Sequence, residues 1–373
     1  MKRIFTRRIL PGLMALSILS GCQKTGDQSP VAEDELASRY RHPKDFKDFT
    51  QVNLVGDNND FSPAHIERGL INAWGIAIGN SGGAWVASQG GSLAFIFNQD
   101  GTQARPTVDI PSHTAPSGGH PTGVVVNNTT DFKLPNGNPA RFIFAEAEGI
   151  ISGWNGGNAA IKVSEDLNNP FYFGIAIASD NGNNFLYIAN FSEGKIEVYD
   201  KNFTEVEKPF VDPYLPKGFS PVNIQNIDGK LYVMYAKPGR GNGEVIFPRE
   251  GFVDIFNPDG KFLRRFISQG QLNAPWGITK APAGFFGEGS NRQDIFLVGN
   301  FGDGRINAYN SSGKFQGQLR EHGKPIVIEK LWGIAFAPAS NTNFDPNSLF
   351  FAAGPPNEQH GLFGFINKSK DTN

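Results

Sequence analysis

Apolar residues in this chain come in short alternating runs, and the runs recur in sets. The clearest marker is a Trp-Gly-Ile phrase, found as NAWGIAI (72–78), APWGITK (274–280) and KLWGIAF (330–336). HPTGVVV (120–126) and FYFGIAI (171–177) keep its glycine, while SPVNIQN (220–226) keeps the pattern with Asn223 in the glycine position. The six anchors, Gly75, Gly123, Gly174, Asn223, Gly277 and Gly333, are separated by 48, 51, 49, 54 and 56 residues. A near-constant interval of that size is one supersecondary unit per repeat.

Three further runs fill each interval. The second is AWVAS (84–88), RFIFAEA (141–147), FLYIAN (185–190), KLYVMYA (230–236), IFLVGN (295–300) and LFFAAG (349–354). The third, SLAFIFN, GIISGWN, GKIEVYD, GFVDIFN, GRINAYN and GLFGFIN, ends each time in Asn or Asp, side chains that suit a tight turn. A weaker fourth follows as RPTVDI, AIKVSE, EVEKPFVD, KFLRRFI and KFQGQLR. Four short strands per unit are the pattern of a propeller blade. The sixth unit lacks its fourth strand, and FTQVNLV (49–55) stands ready to supply it. The predicted fold is therefore an all-β, six-bladed β-propeller over 49–367. Its blades are four-stranded, and strand 49–55 completes the last blade and removes two open sheet edges. Glycine at the anchors lets inner strands approach closely, and Trp74, Trp276 and Trp332 are expected to wedge between blades near the channel mouth.

Composition agrees with this picture. Charged residues are only 19%, whereas glycine (45), proline (25) and phenylalanine (32) are abundant, as in turn-dense β proteins. The formal charge of −2 and the lack of long basic runs argue against nucleic acid as a partner. The N-terminus adds a location. Lys2, Arg3, Arg7 and Arg8 precede a short apolar stretch, ILPGLMALSIL (9–19), and then LSGC (19–22). This reads as a secretory signal over 1–21, too short for a lasting membrane span. LSGC resembles the bacterial lipobox, which implies lipidation of Cys22, the only cysteine, and membrane attachment through that lipid. Gln23 resembles the residue that sorts lipoproteins to the outer membrane. Residues 22–48 then form a lipidated, polar tether, and 368–373 a short tail.

Candidate chemistry comes from topology. Loops entering the first strand and turns between the second and third share one face, around the channel mouth. They supply Asn72, His120, Glu146, Glu148, Asn190, Asn223, Asn273, Asn300, Asp303 and His360 as a ligand-binding set. Oxygen donors of this kind suit a hard cation, and Glu146, Asn190, Asn223, Asn273 and Asn300 are the expected ligands of a calcium ion. Gly79–Gly83 fits the G-x-S-x-G string but lies in a turn with no helix behind it, so it is not read as a nucleophile. The loop from Pro238 to Gly243 is glycine-rich and reads as a lid.

Taken together, NAWGIA, HPTGVV, FIFAEAEGIISGWN, FLYIANFSEGKIEVYD, NIQNIDGKLYVMYA, LNAPWGI, LVGNFGDGRINAY and AAGPPNEQHGLFG resemble a bacterial family of exported propellers of uncharacterised function. That family is distantly similar to NHL-repeat propellers, and the likeness covers about residues 50–366. It implies the fold and no substrate. Two functions fit: a monomeric, lipid-anchored module binding a small molecule, glycan or protein at the channel mouth, or a calcium-assisted hydrolase or lyase of the lactonase-like propeller type.

Overall fold

The computed structural model describes residues 46–239, 250–287 and 294–369, with the backbone of 245–246. The signal segment, Cys22, most of the tether, the tip of the loop after Pro238 and the last four residues lie outside the described residues.

Six antiparallel sheets follow one another along the chain, each starting at an anchor strand. Blade 1 begins at Ala73–Ile78, blade 2 at Pro121–Val126 and blade 3 at Tyr172–Asp180. Blade 4 begins at Ser220–Ile227, blade 5 at Pro275–Lys280 and blade 6 at Leu331–Phe336. Blade 6 ends with Leu362–Lys368, against which Phe49–Gly56 pairs antiparallel from Phe49↔Lys368 to Gly56↔Leu362. The N-terminal strand thus closes the ring, as its position in the sequence predicts, and His65–Ile66 adds a short parallel strand outside it.

The fourth strand expected in blade 3 is the exception. EVEKPFVD makes one bridge, Tyr199↔Glu205, and one ladder bond, Val206 N–H to Val198 O at 2.8 Å, and then departs. Pro209, Pro213 and Pro216 have no N–H to offer a ladder. The segment crosses instead toward blade 4. There Phe210 packs between Tyr187 (5.5 Å) and Phe256 (5.3 Å).

At the ring's centre the anchor glycines meet the next inner strand. A Cβ on Gly75 would lie 2.9 Å from Val124 N, and one on Gly277 2.9 Å from Trp332 O, so any side chain would push the blades apart. The tryptophans beside them do not wedge between blades. They turn inward and meet in one cluster: Trp74 on Trp332 of the neighbouring blade at 3.7 Å, with Trp276 edge-on to both at 6.3 and 5.9 Å. Phe173 covers Trp74 (5.0 Å) and Phe301 covers Trp332 (3.9 Å). Thr122 and Val222 hold the same strand position in blades 2 and 4 and are also buried. The channel is therefore plugged near its upper face, where the inner strands start. Each stacked pair adds about 0.5–1.5 kcal/mol beyond burial. Below the plug the channel opens as a cavity of about 390 Å³ lined by Ile76, Val124, Ile175, Gln225, Ile278 and Ile334.

Candidate functional site

One register position carries much of the polar set expected at the channel mouth. Ser88, Glu146, Asn190 and Asn300 end their second strands opposite Ala73, Pro121, Tyr172 and Pro275. All four are fully buried. The middle of the third strand carries the answering groups: Ser152, Glu197, Asp254 and Asn307, buried as well. Glu146 Oε1 accepts the Ser152 hydroxyl at 2.6 Å. Asn190 Nδ2 donates to Glu197 Oε1 at 2.6 Å, and its oxygen accepts from Ser192 Oγ and the Glu193 N–H. Asn300 Nδ2 donates to Gln271 O at 2.8 Å and to Asp303 Oδ1 at 3.0 Å. Asn307 Nδ2 reaches the same Gln271 carbonyl at 2.9 Å. These side chains pin blades 2, 3 and 5 internally and are turned into the sheets.

The remaining amides are also engaged. Asn72 accepts the Trp332 indole N–H at 2.9 Å and donates to Gln89 Oε1 at 3.1 Å, tying blade 1 to the plug. Asn223 donates to Trp276 O and accepts the Ile224 N–H, both at 2.8 Å. It bridges blades 4 and 5 where glycine makes the contact elsewhere in the ring. Asn273 is buried with its oxygen against Gly302. Asp303 holds its own turn through the Arg305 N–H at 3.3 Å. His360 Nδ1 faces Asp57 Oδ2 at 2.7 Å, and Asp57 holds the Gly361 N–H.

The five residues expected to share a calcium ion come from four blades and bond to separate neighbours. Both amide atoms of Asn190 and of Asn223 are in use. Among these five residues the buried oxygens without a partner are Glu146 Oε2 in blade 2 and Asn273 Oδ1 and Asn300 Oδ1 in blade 5. Those blades stand on opposite sides of a six-membered ring. Calcium takes about six to eight oxygens at about 2.3–2.6 Å, and this donor set does not fit one ion. Among the described residues no group of three or more His, Cys, Asp or Glu side chains is arranged to hold a metal.

His120 and Glu148 face open space together. They line a cleft of about 470 Å³ with Gln89, His113, Asp166 and Phe171. Local backbone bonds bring the two together: Ala147 N–H donates to His120 O at 2.9 Å, and Gly149, at φ 82°, turns the chain back on Glu146 O at 3.0 Å. His120 Nδ1 bonds Glu148 Oε1, leaving Nε2 without a partner among the described residues. The bond to Glu148 raises the His120 pKa above the ordinary imidazole range, with burial acting against it. Behind Gly119, burial pushes the Glu146 carboxyl up to about 8. On the far wall His113 Nδ1 meets Glu165 Oε2 at 2.8 Å, and Lys162 holds the same oxygen at 2.8 Å. A carboxylate-oriented imidazole in a cleft can bind an acceptor group or move a proton.

Two buried acids escape the sequence reading. Glu197 accepts from the Tyr172 hydroxyl at 2.5 Å and the Tyr199 hydroxyl at 3.0 Å. Asp254 and Asp212 both bind Arg265. Their signal is a lone acid at the centre of an apolar strand, KIEVY and FVDIF, in the register of Ser152 and Asn307.

No family model matches this chain. It is similar to two mimivirus proteins of Acanthamoeba polyphaga mimivirus. Uncharacterized protein R648 is 34% identical over 86% of this chain and 80% of its own length. Uncharacterized protein L690 is 33% identical over 86% of each. Among solved structures, the Fusarium graminearum α-L-arabinofuranosidase Arb93A aligns with a TM-score of 0.55 at 10% identity, over 86% of this chain and 98% of that one. Virginiamycin B lyase from Staphylococcus aureus aligns at 0.49 and 16% identity over 86% and 98%. At these identities the structural likeness concerns the fold alone. By its sequence, this propeller belongs to the family of the uncharacterised mimivirus proteins R648 and L690.

Proposed function

We propose that this protein is a binding module of the cell envelope, held to the outer membrane by lipid on Cys22, that takes a glycan, peptide or small molecule into the cleft beside His120 and Glu148. One observation carries the reading. Most of the other residues of the polar face are engaged by bonds within and between blades, and His120, oriented by Glu148, presents its Nε2 to a cleft of about 470 Å³. Cavities of this size hold small ligands. The aromatic plug supports binding beside the axis, since stacked rings occupy the centre of the upper face.

The test is an array of envelope glycans and peptides probed with wild type, His120→Ala and Glu148→Gln. The expected result is a bound species that both variants lose by at least about tenfold, or about 1.4 kcal/mol. Binding untouched by either substitution removes the reading. A second reading rests on the orientation of the imidazole by Glu148, which suits general acid–base chemistry without a metal. Turnover of a captured ligand that survives chelator and vanishes in His120→Ala selects it over simple binding.

A further inference from the structure

A larger cavity, about 640 Å³, lies in the groove between blades 1 and 2, where it opens toward the lower face. Its wall is aromatic. Trp85 stacks on Phe142 at 4.1 Å and packs against Trp154 at 4.7 Å, and all three are buried. Arg105 lays its guanidinium over the Trp154 ring at 4.2 Å and donates from Nη2 to Gly157 O at 3.3 Å. Its Nε is buried and has no acceptor.

Arg141 lines the same cavity from the start of the second strand of blade 2, and its side chain makes no bond or ion pair among the described residues. Burial first, and then the neighbouring charge of Arg141, hold Arg105 below the usual guanidinium range. Among the described residues no carboxylate lines the cavity. Arg105, half-buried over the Trp154 ring, and Arg141, exposed at the rim, put two like charges on one cavity with no acid between them, an arrangement that an anion would relieve.

The rest of the lining narrows the anion's class. Asn80, Asn128 and Asn343 bring neutral amides to the rim, groups that exchange hydrogen bonds with hydroxyls. The space is also several times what a bare inorganic ion fills. Paired planar guanidiniums match a carboxylate, and aromatic walls accept the C–H face of a sugar ring. We infer that this groove binds an acidic saccharide, its carboxylate held between Arg105 and Arg141 and its hydroxyls met by Asn80, Asn128 and Asn343. The turn Gly79–Gly83, which matches a hydrolase string without its context, then serves as one lip of this groove.

Calorimetric titration of the full chain at low salt tests this with three probes: digalacturonate, the neutral disaccharide galactobiose, and inorganic phosphate. Digalacturonate is expected to bind at least tenfold more tightly than either of the others. Arg141→Gln, whose side chain supports nothing in the fold, is expected to lose at least tenfold in affinity with an unchanged melting temperature. Arg105→Lys keeps the charge but not the fork and should weaken binding as well. His120→Ala should leave this binding intact, which separates the groove from the His120 cleft. Equal binding of galactobiose, equal binding of phosphate, no binding of any probe, or an unaffected Arg141→Gln variant each overturns the inference.

Discussion

Asn223 is the one anchor that is not glycine, and its amide makes two main-chain bonds that a glycine has no side chain to make. Asn223→Ala leaves Trp276 O buried without a donor and is expected to cost about 1–3 kcal/mol. Urea unfolding measures this, and an unchanged midpoint would show that the amide bridges nothing. Glu146 offers a test through pH. Unfolded, its carboxyl titrates near 4.5; folded, burial raises it to about 8. Between those values the folded protein holds a proton that the unfolded chain has released, so stability falls as pH rises through the window. The loss is on the order of a few kcal/mol. Glu146→Gln is expected to flatten the slope without abolishing it, because Asp254, raised to about 7, acts in the same direction. Melting temperatures from pH 4.5 to 8 that fall equally in both proteins would contradict the assignment.

Individual strands show what can be read from a sequence of this kind and what cannot. The anchors, the three inner runs of every unit and the closing strand are local patterns of alternation, and each forms where its pattern lies. The fourth strand of blade 3 has the hydrophobicity, but Pro209 within it and Pro213 and Pro216 just after it lack N–H groups, and that decides against it. Glu146, Asn190 and Asn300 end their second strands, and their side chains turn into the sheets. Strand ends at a propeller face read as exposed, yet the partners that draw these side chains inward, Ser152, Glu197 and Gln271, belong to later or distant stretches. The inward turn of the tryptophans and the groove joining Arg105 to Arg141 likewise depend on contacts between blades. The lone acids do leave a mark, and Asp254 shows its consequence. With Asp212 and Asp254 buried on Arg265, Arg265→Ala leaves two uncompensated carboxylates. A cost of about 3–5 kcal/mol is expected, read as a lowered denaturation midpoint; a shift no larger than that of an exposed arginine would mean the triad is not buried in solution.

At the scale of the molecule, Phe49–Gly56 covers the edge of Leu362–Lys368 and so ties the start of the propeller to its last blade. A chain beginning at residue 46 is expected to melt with the full-length protein, whereas one beginning at residue 57 should expose the edge of Leu362–Lys368 and aggregate. Equal melting of the two would mean that the ring does not depend on that strand. The closed ring also explains why function is assigned off the axis. Its centre is filled by stacked indoles above and lined by isoleucines below, and the polar residues around its mouth hold blades together. Crystals soaked with a fragment library and with calcium test that assignment most directly. The account predicts fragments in the cleft against His120 and Glu148, with no ion bound jointly by Glu146, Asn190, Asn223, Asn273 and Asn300. An empty cleft together with a cation on those five residues would contradict it.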